Sequence, residues 1–226
     1  MNALVSIRRT IGILATAAFC LLPGAQAAEG GVALDHFPQS KLTNLPSLQD
    51  GAKTFVNYCL SCHSASMMRY NRLRDIGLSE DQIANNLIFT GKKVGDLMTV
   101  AMRPEDSKEW FGALPPDLTV VARSRSSGAG SGADWLYTFL RTFYRDGTRA
   151  LGWNNAVFPN VGMPHALWEL QGEQVAKVSE NPDGTKRVEL SLAKPGKMSV
   201  EEYDKAIADL VSFLVWMGEP VAEKRK

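Results

Sequence analysis

The chain has 226 residues, 45% of them apolar and 22% charged, and a formal net charge of +1. That is enough material for one domain with a buried core. The charge is too evenly balanced to argue for nucleic acid as a partner.

Residues 1–27 read as a secretory signal peptide. Arg8 and Arg9 form a basic start, Ile11 to Leu22 an apolar run, and Pro23-Gly24 a break before the small residues Ala25-Gln26-Ala27. The run is shorter than the about 20 residues a membrane helix needs. Cleavage after Ala27 takes Cys20 with it, so the exported domain, residues 28–226, carries Cys59 and Cys62 alone.

The lead-in to Pro46 is irregular. Ser47 is expected to cap a helix over Leu48 to Tyr58, with Leu48, Ala52 and Phe55 along one face. Ser79 and Gln82 make a capping box for a second helix with Ile83, Leu87 and Ile88 as its apolar stripe. Residues 103–118, with Pro104, Pro115 and Pro116, read as extended or turning chain. Residues 124–133 read as a flexible Gly/Ser loop. Asp134 is expected to cap a helix running to Arg145, since Leu136, Phe139, Leu140 and Phe143 fall on one face. Residues 147–166 are loop-like. Gln174 to Val178 and Arg187 to Leu192 alternate around Asn181-Pro182-Asp183-Gly184, which predicts a small hairpin. Ser199 and Glu202 box a last helix with Tyr203, Ile207, Leu210, Leu214 and Met217 as its stripe, stopped by Gly218 and Pro220. The fold class is mostly α, with long loops and one hairpin. Long ordered loops in a small domain need something to pack on, and a large buried cofactor would supply it.

The motif that carries chemistry is Cys59-Leu60-Ser61-Cys62-His63. A disulfide between cysteines three apart closes a small ring with little effect on unfolded-chain entropy, and leaves His63 unexplained. A thioredoxin-like pair follows a strand in a βαβ setting, but here a helix precedes the motif. Zinc needs four ligands, whereas these residues offer three at most. Covalent haem attachment accounts for every feature: two thiols add across the porphyrin vinyl groups, and the adjacent histidine ligates iron. Export fits as well, because such attachment happens outside the cytoplasm.

The second axial position has several candidates. Met198 and Met217 belong to helical packing, and Met67 and Met68 lie too close after His63 to reach round a ring. Met102 and Met163 remain. Gly162 and Pro164 would hold a sulfur in a stiff loop facing a flat surface, which favours Met163 over Met102. His165 is the outsider.

Beyond these readings, the chain resembles the cytochrome c1 family from about Leu34 to its end. The resemblance lies in FVNYCLSCHSA (55–65) with MRYNRL after it, WFGALPPDLTVVARSR (110–125), DWLYTFLRTFYRD (134–146) and GWNNAVFPNVGMPHALWELQG (152–172). It implies a c-type cytochrome fold with one covalent haem c held by Cys59 and Cys62. His63 would be the proximal ligand and Met163 the distal one. Arg125 matches the residue that pairs with a haem propionate, and Pro115 and Pro116 match a segment lining the haem pocket. The family continues into a single C-terminal membrane helix. No apolar run of that length follows residue 27, so that helix is expected to be missing from this chain, by truncation or by docking without an anchor.

The implied function is one-electron transfer within a quinol–cytochrome c reductase, the cytochrome bc1 complex. Its partners would be cytochrome b, the Rieske iron–sulfur protein as donor and a cytochrome c as acceptor. The complex would be dimeric as a whole and would sit at the periplasmic side of the bacterial inner membrane. No substrate bond is made or broken on this chain, so no general acid, base or nucleophile is nominated.

Overall fold

The computed structural model describes residues 32–182 and 186–222. The expected signal peptide, most of the hairpin turn and the basic C-terminal residues lie outside the described residues.

The first long helix, α1, spans Leu45–Thr54. Its cap is Asn44, not Ser47: the Asn44 side chain accepts from the Ser47 amide at 3.0 Å. The helix starts three residues earlier than expected because Pro46 is tolerated in a first turn, where amide hydrogens have no intrahelical partner. Leu48, Ala52 and Phe55 are buried as their spacing predicts. A π turn, Phe55–Cys59, continues α1 and ends on the first cysteine of the motif.

Strand β1 (Ala65–Arg69) pairs antiparallel with β2 (Leu97–Met98). Between them lie a 3-10 helix over Tyr70–Ile76 and α2 (Glu80–Asn86), whose Ser79–Gln82 capping box is present as read. The chain from 103 is not all extended: Pro104 opens helix α3, Pro104–Phe111. Proline fits the first helical position, so here it marks a start, not a break. Residues 114–118 have no helix or strand, and α4 is a single turn, Val121–Ser124.

Helix α5 spans Gly132–Arg141. Its cap is Ser131, and Asp134 completes the capping box from the third helical position. The Gly/Ser stretch is therefore packed, not flexible at its end: a Cβ on Gly132 would collide with the Ala122 carbonyl. The helix also stops short of Arg145. Thr142 ends it, and Phe143–Arg145 forms β3, paired with β4 (Trp153–Asn155). Phe143 is buried either way, so its place in the helical stripe was a coincidence of spacing.

A short α6 (Trp168–Gln171) leads into the hairpin of β5 (Gly172–Glu180) and β6 (Lys186–Pro195), longer than expected and bulged between Glu173 and Gln174. The last helix, α7 (Val200–Gly218), has the Ser199–Glu202 box and buries Tyr203, Ile207, Leu210, Leu214 and Met217. It crosses α1 so closely that a Cβ on Gly51 would collide with the Asp209 carbonyl. Beside that crossing, the buried Asp209 carboxylate accepts from Lys41 and Lys205, each at 2.8 Å.

The architecture is mostly α around one core, with three two-stranded antiparallel sheets among the described residues. No helix of these residues is long and apolar enough to cross a membrane.

Candidate functional site

The π turn is what shapes the motif. Leu60 N–H reaches back to the Phe55 carbonyl at 3.0 Å, widening the helix by one residue before it ends. The amides of Cys62 and His63 then both bond the Cys59 carbonyl, at 3.0 and 2.8 Å. This tight turn leaves both thiols free and half-buried, with no disulfide between them. Burial, with Cys62 adding to it, pushes the Cys59 thiol up to about 12. A thiol–disulfide oxidoreductase needs a depressed value, so the redox-pair reading has the wrong electrostatics.

His63 is buried, and its Nδ1 donates to the Pro116 carbonyl at 2.8 Å. That bond sets the tautomer: with Nδ1 protonated, the lone pair lies on Nε2. Burial holds the imidazole below its ordinary pKa, although the Pro116 carbonyl and the Asp117 charge pull the other way. A neutral imidazole with a bonded Nδ1–H is the form that ligates a metal.

The run around Pro116 is itself clamped. Leu118 N–H donates to the Ser64 carbonyl at 2.8 Å. The Asp117 carboxylate accepts from Ser66 N–H at 2.7 Å and Thr119 N–H at 2.9 Å. Burial alone would raise the Asp117 pKa, but hydrogen bonds from Thr119 and Ser66 outweigh it and hold the group below the usual carboxylate value. Asp117 was not singled out from the sequence. Its signal was weak: one acid after two prolines, with a threonine two residues on.

The same segment carries Arg125, which closes α4. Its guanidinium lies 4.3 Å over the Trp135 ring and 5.4 Å from the Phe158 ring. Arg125 is half-buried, and no ion pair among the described residues involves it. It is a cation held by aromatic faces with its hydrogen-bonding edge not spent on a carboxylate.

Phe158 belongs to the loop between β4 and α6 that also carries Met163, half-buried against the core. Met102 is half-buried just ahead of α3. His165 is fully enclosed: its ring stacks on Phe143 at 4.8 Å and meets Trp153 edge-on at 5.1 Å. Burial, aided by the Arg145 charge, drives its pKa down to about 4, against an opposing pull from Gln171. A histidine packed between two aromatic rings already has a structural role.

Contacts thus join Cys59, Cys62, His63 and Pro116 into one unit, and link Arg125 to the Met163 loop through Phe158. A profile of the cytochrome C1 family matches residues 38–226.

The chain belongs to the cytochrome C1 family.

A cytochrome c1 from Allochromatium vinosum is 46% identical over 219 residues, covering 95% of this chain and 86% of that one. A protein of Nitrosomonas europaea named ammonia monooxygenase gamma subunit is 52% identical over 195 residues, covering 86% and 77% of the two chains. The similarity extends at 26% identity to a cytochrome c1 of Rhodospirillum rubrum, over 89% of this chain and 81% of that one. As a member of the cytochrome C1 family, the chain has the mostly α architecture that the resemblance implied, with its C-x-x-C-H motif inside the matched region.

Proposed function

We propose that this chain is the haem-bearing, one-electron transfer subunit of a quinol–cytochrome c reductase, the cytochrome bc1 complex. Its cofactor is a single covalent haem c. When bound, the haem supplies one iron that takes up and gives back a single electron. Everything else is the work of the chain's own residues.

Cys59 and Cys62 would hold the group through two thioethers: the π turn ends at Cys59, and the turn after it folds Cys62 back onto the Cys59 carbonyl. His63 gives its Nε2 to the iron. Pro116 accepts the His63 Nδ1–H, which fixes the ring and raises the basicity of the ligating nitrogen. Met163, half-buried in the loop between β4 and α6, would offer a thioether, and sulfur ligation favours the reduced iron. Arg125 neutralises a propionate, which would otherwise stabilise the oxidised, more positive centre. No group on the chain moves a proton or attacks a bond.

The observation that carries this reading is the His63–Pro116 hydrogen bond. A structural histidine needs no particular tautomer, whereas a proximal ligand needs this one. The half-buried, unbridged thiols beside it support the same reading. Haem c also accounts for the C-x-x-C-H motif, on which the name of the Nitrosomonas relative is silent.

The finer assignments follow the family. The Rieske iron–sulfur protein is the donor, a cytochrome c the acceptor and cytochrome b the neighbour within a dimeric complex. The haem domain faces the periplasm of the bacterial inner membrane, in keeping with the export signal read in residues 1–27. The decisive experiment uses the chain isolated from its host. Haem should remain on the denatured polypeptide, and the reduced protein should show resolved low-spin bands. A polypeptide mass without haem would overturn the assignment. Co-purification with cytochrome b and the Rieske protein tests the complex, and a chain recovered free of both would refute that part alone.

A further inference from the structure

The loop that presents Met163 has no secondary structure of its own, yet two buried asparagines hydrogen-bond along it from its start. Asn155 is 0% exposed and Asn154 6%. Both sit at the end of β4, where Asn155 pairs with Phe143 and Asn154 with Tyr144. The Asn155 side-chain carbonyl accepts from Val157 N–H at 2.9 Å and Phe158 N–H at 3.0 Å, while its amide donates to the Phe139 carbonyl at 2.8 Å. The Asn154 side-chain carbonyl accepts from Asn155 N–H at 2.9 Å and Asn160 N–H at 2.8 Å, and its amide donates to Asp146 at 2.8 Å.

Together these bonds satisfy four backbone amides of residues 155–160 and tie the loop to the end of α5. Ala156 N–H bonds the Thr142 carbonyl at 3.1 Å, but the amides of 157, 158 and 160 have no backbone partner, and an unpaired buried amide costs about 1–3 kcal/mol. The turn closes on Asn160, which adopts a left-handed φ of 63° and whose carbonyl accepts from Arg149 at 3.2 Å. Val161 then plugs into the core, and Met163 follows two residues later. Only an amide side chain serves at position 155. Aspartate would accept the same bonds but could not donate to Phe139, and an apolar residue would do neither.

We propose that Asn154 and Asn155 are positioning residues for the axial methionine, shaping the 156–160 turn that delivers Met163 to the iron. They touch neither the iron nor the haem in this assignment. They act by restricting the loop, so that the sulfur is held at the metal and not merely near it. The proposal rests on the reading of Met163 as the distal ligand.

The test compares haem-loaded Asn155→Ala and Asn154→Ala with Met163→Leu and with Ser212→Ala. Ser212 is the control for generic destabilisation: its buried hydroxyl donates to the Lys41 carbonyl at 2.7 Å, on α7. Three readouts are taken: the sulfur-to-iron charge-transfer band of the ferric form, carbon monoxide binding by the ferrous form, and amide exchange over residues 155–160. Both asparagine variants should lose part or all of the band, gain carbon monoxide binding and exchange faster in that turn. Ser212→Ala should change none of these while lowering unfolding stability. Asparagine variants that keep the band and exclude carbon monoxide as the parent does would overturn the proposal. Met163→Leu separates the two layers: a band that survives it refutes the ligand assignment, whatever the asparagine variants do. Should Asn155→Ala fail to accumulate, Asn154→Ala, at the less deeply buried position, carries the decision.

Discussion

The two sides of the proposed haem site are built on opposite principles. On the His63 side, both thiols and the imidazole come from five consecutive residues, folded by one π turn and two hydrogen bonds to a single carbonyl. On the Met163 side, the sulfur stands alone in a loop whose shape depends on Asn154 and Asn155, on Arg149 and on the packing of Phe158 against Arg125. The first side is local and would keep its spacing in almost any fold. The second is a long-range construction, and its contacts are spread from Arg125 to Asn160. Loss of one contact on the second side should therefore be graded, because the remaining contacts still restrain the loop.

The largest effect is expected from the thiols. The double replacement Cys59→Ala, Cys62→Ala should abolish haem retention on a denaturing gel, and each single variant should weaken it. Undiminished retention in the double variant would remove the reason for separating the two sides. Next comes Met163→Leu, which should convert low-spin six-coordinate haem to a five-coordinate form and lower the midpoint potential by on the order of 0.1 V. An unaltered visible spectrum would move the ligand to Met102 or His165.

Arg125→Gln should lower the potential by less, about 1 kcal/mol or roughly 40 mV for one electron, since the guanidinium is half-exposed and partly screened. Equal potentials would return Arg125 to a purely aromatic contact. The smallest shift belongs to Asp117→Ala, which releases Ser66 and Thr119 and so loosens the run bearing Pro116. Its pH dependence has a definite sign. The folded Asp117 pKa lies below the ordinary 3.8, so its clamp is fully present above that value and is lost as pH falls through the lower folded value. In an acid titration the step that depends on Asp117 should fall below pH 3.8, and Asp117→Ala should lack it.

Much of the fold was legible in the sequence, for reasons that differ by element. The Ser79–Gln82 and Ser199–Glu202 boxes were read correctly because a capping box is a local contract between residues three apart. The hairpin was legible from its alternation. Several boundaries were misread, among them the end of α5, which falls at Arg141 and not at Arg145. Asn44 took the cap from Ser47, and Ser131 took it from Asp134, because several residues in each stretch could cap and packing chose between them. Pro104 was read as a breaker although it opens a helix, since proline's effect depends on its position in the turn. The strands β3 and β4 left no signal, being three residues each and aromatic enough to pass for helix or loop.

By itself the sequence determined the chemistry on offer: two thiols three apart, an adjacent histidine, and a methionine held between glycine and proline. Those are covalent facts and survive any fold. Only the tertiary structure decided which imidazole nitrogen is free, because the Pro116 carbonyl comes from 53 residues away. It alone showed that Arg125 rests on two aromatic rings with no carboxylate paired to it among the described residues, and that two asparagine side chains accept from the amides of 157, 158 and 160 ahead of Met163. Hydrogen bonds and ring contacts between distant segments have no spacing rule, since the chain between the partners can take any length that closes the loop.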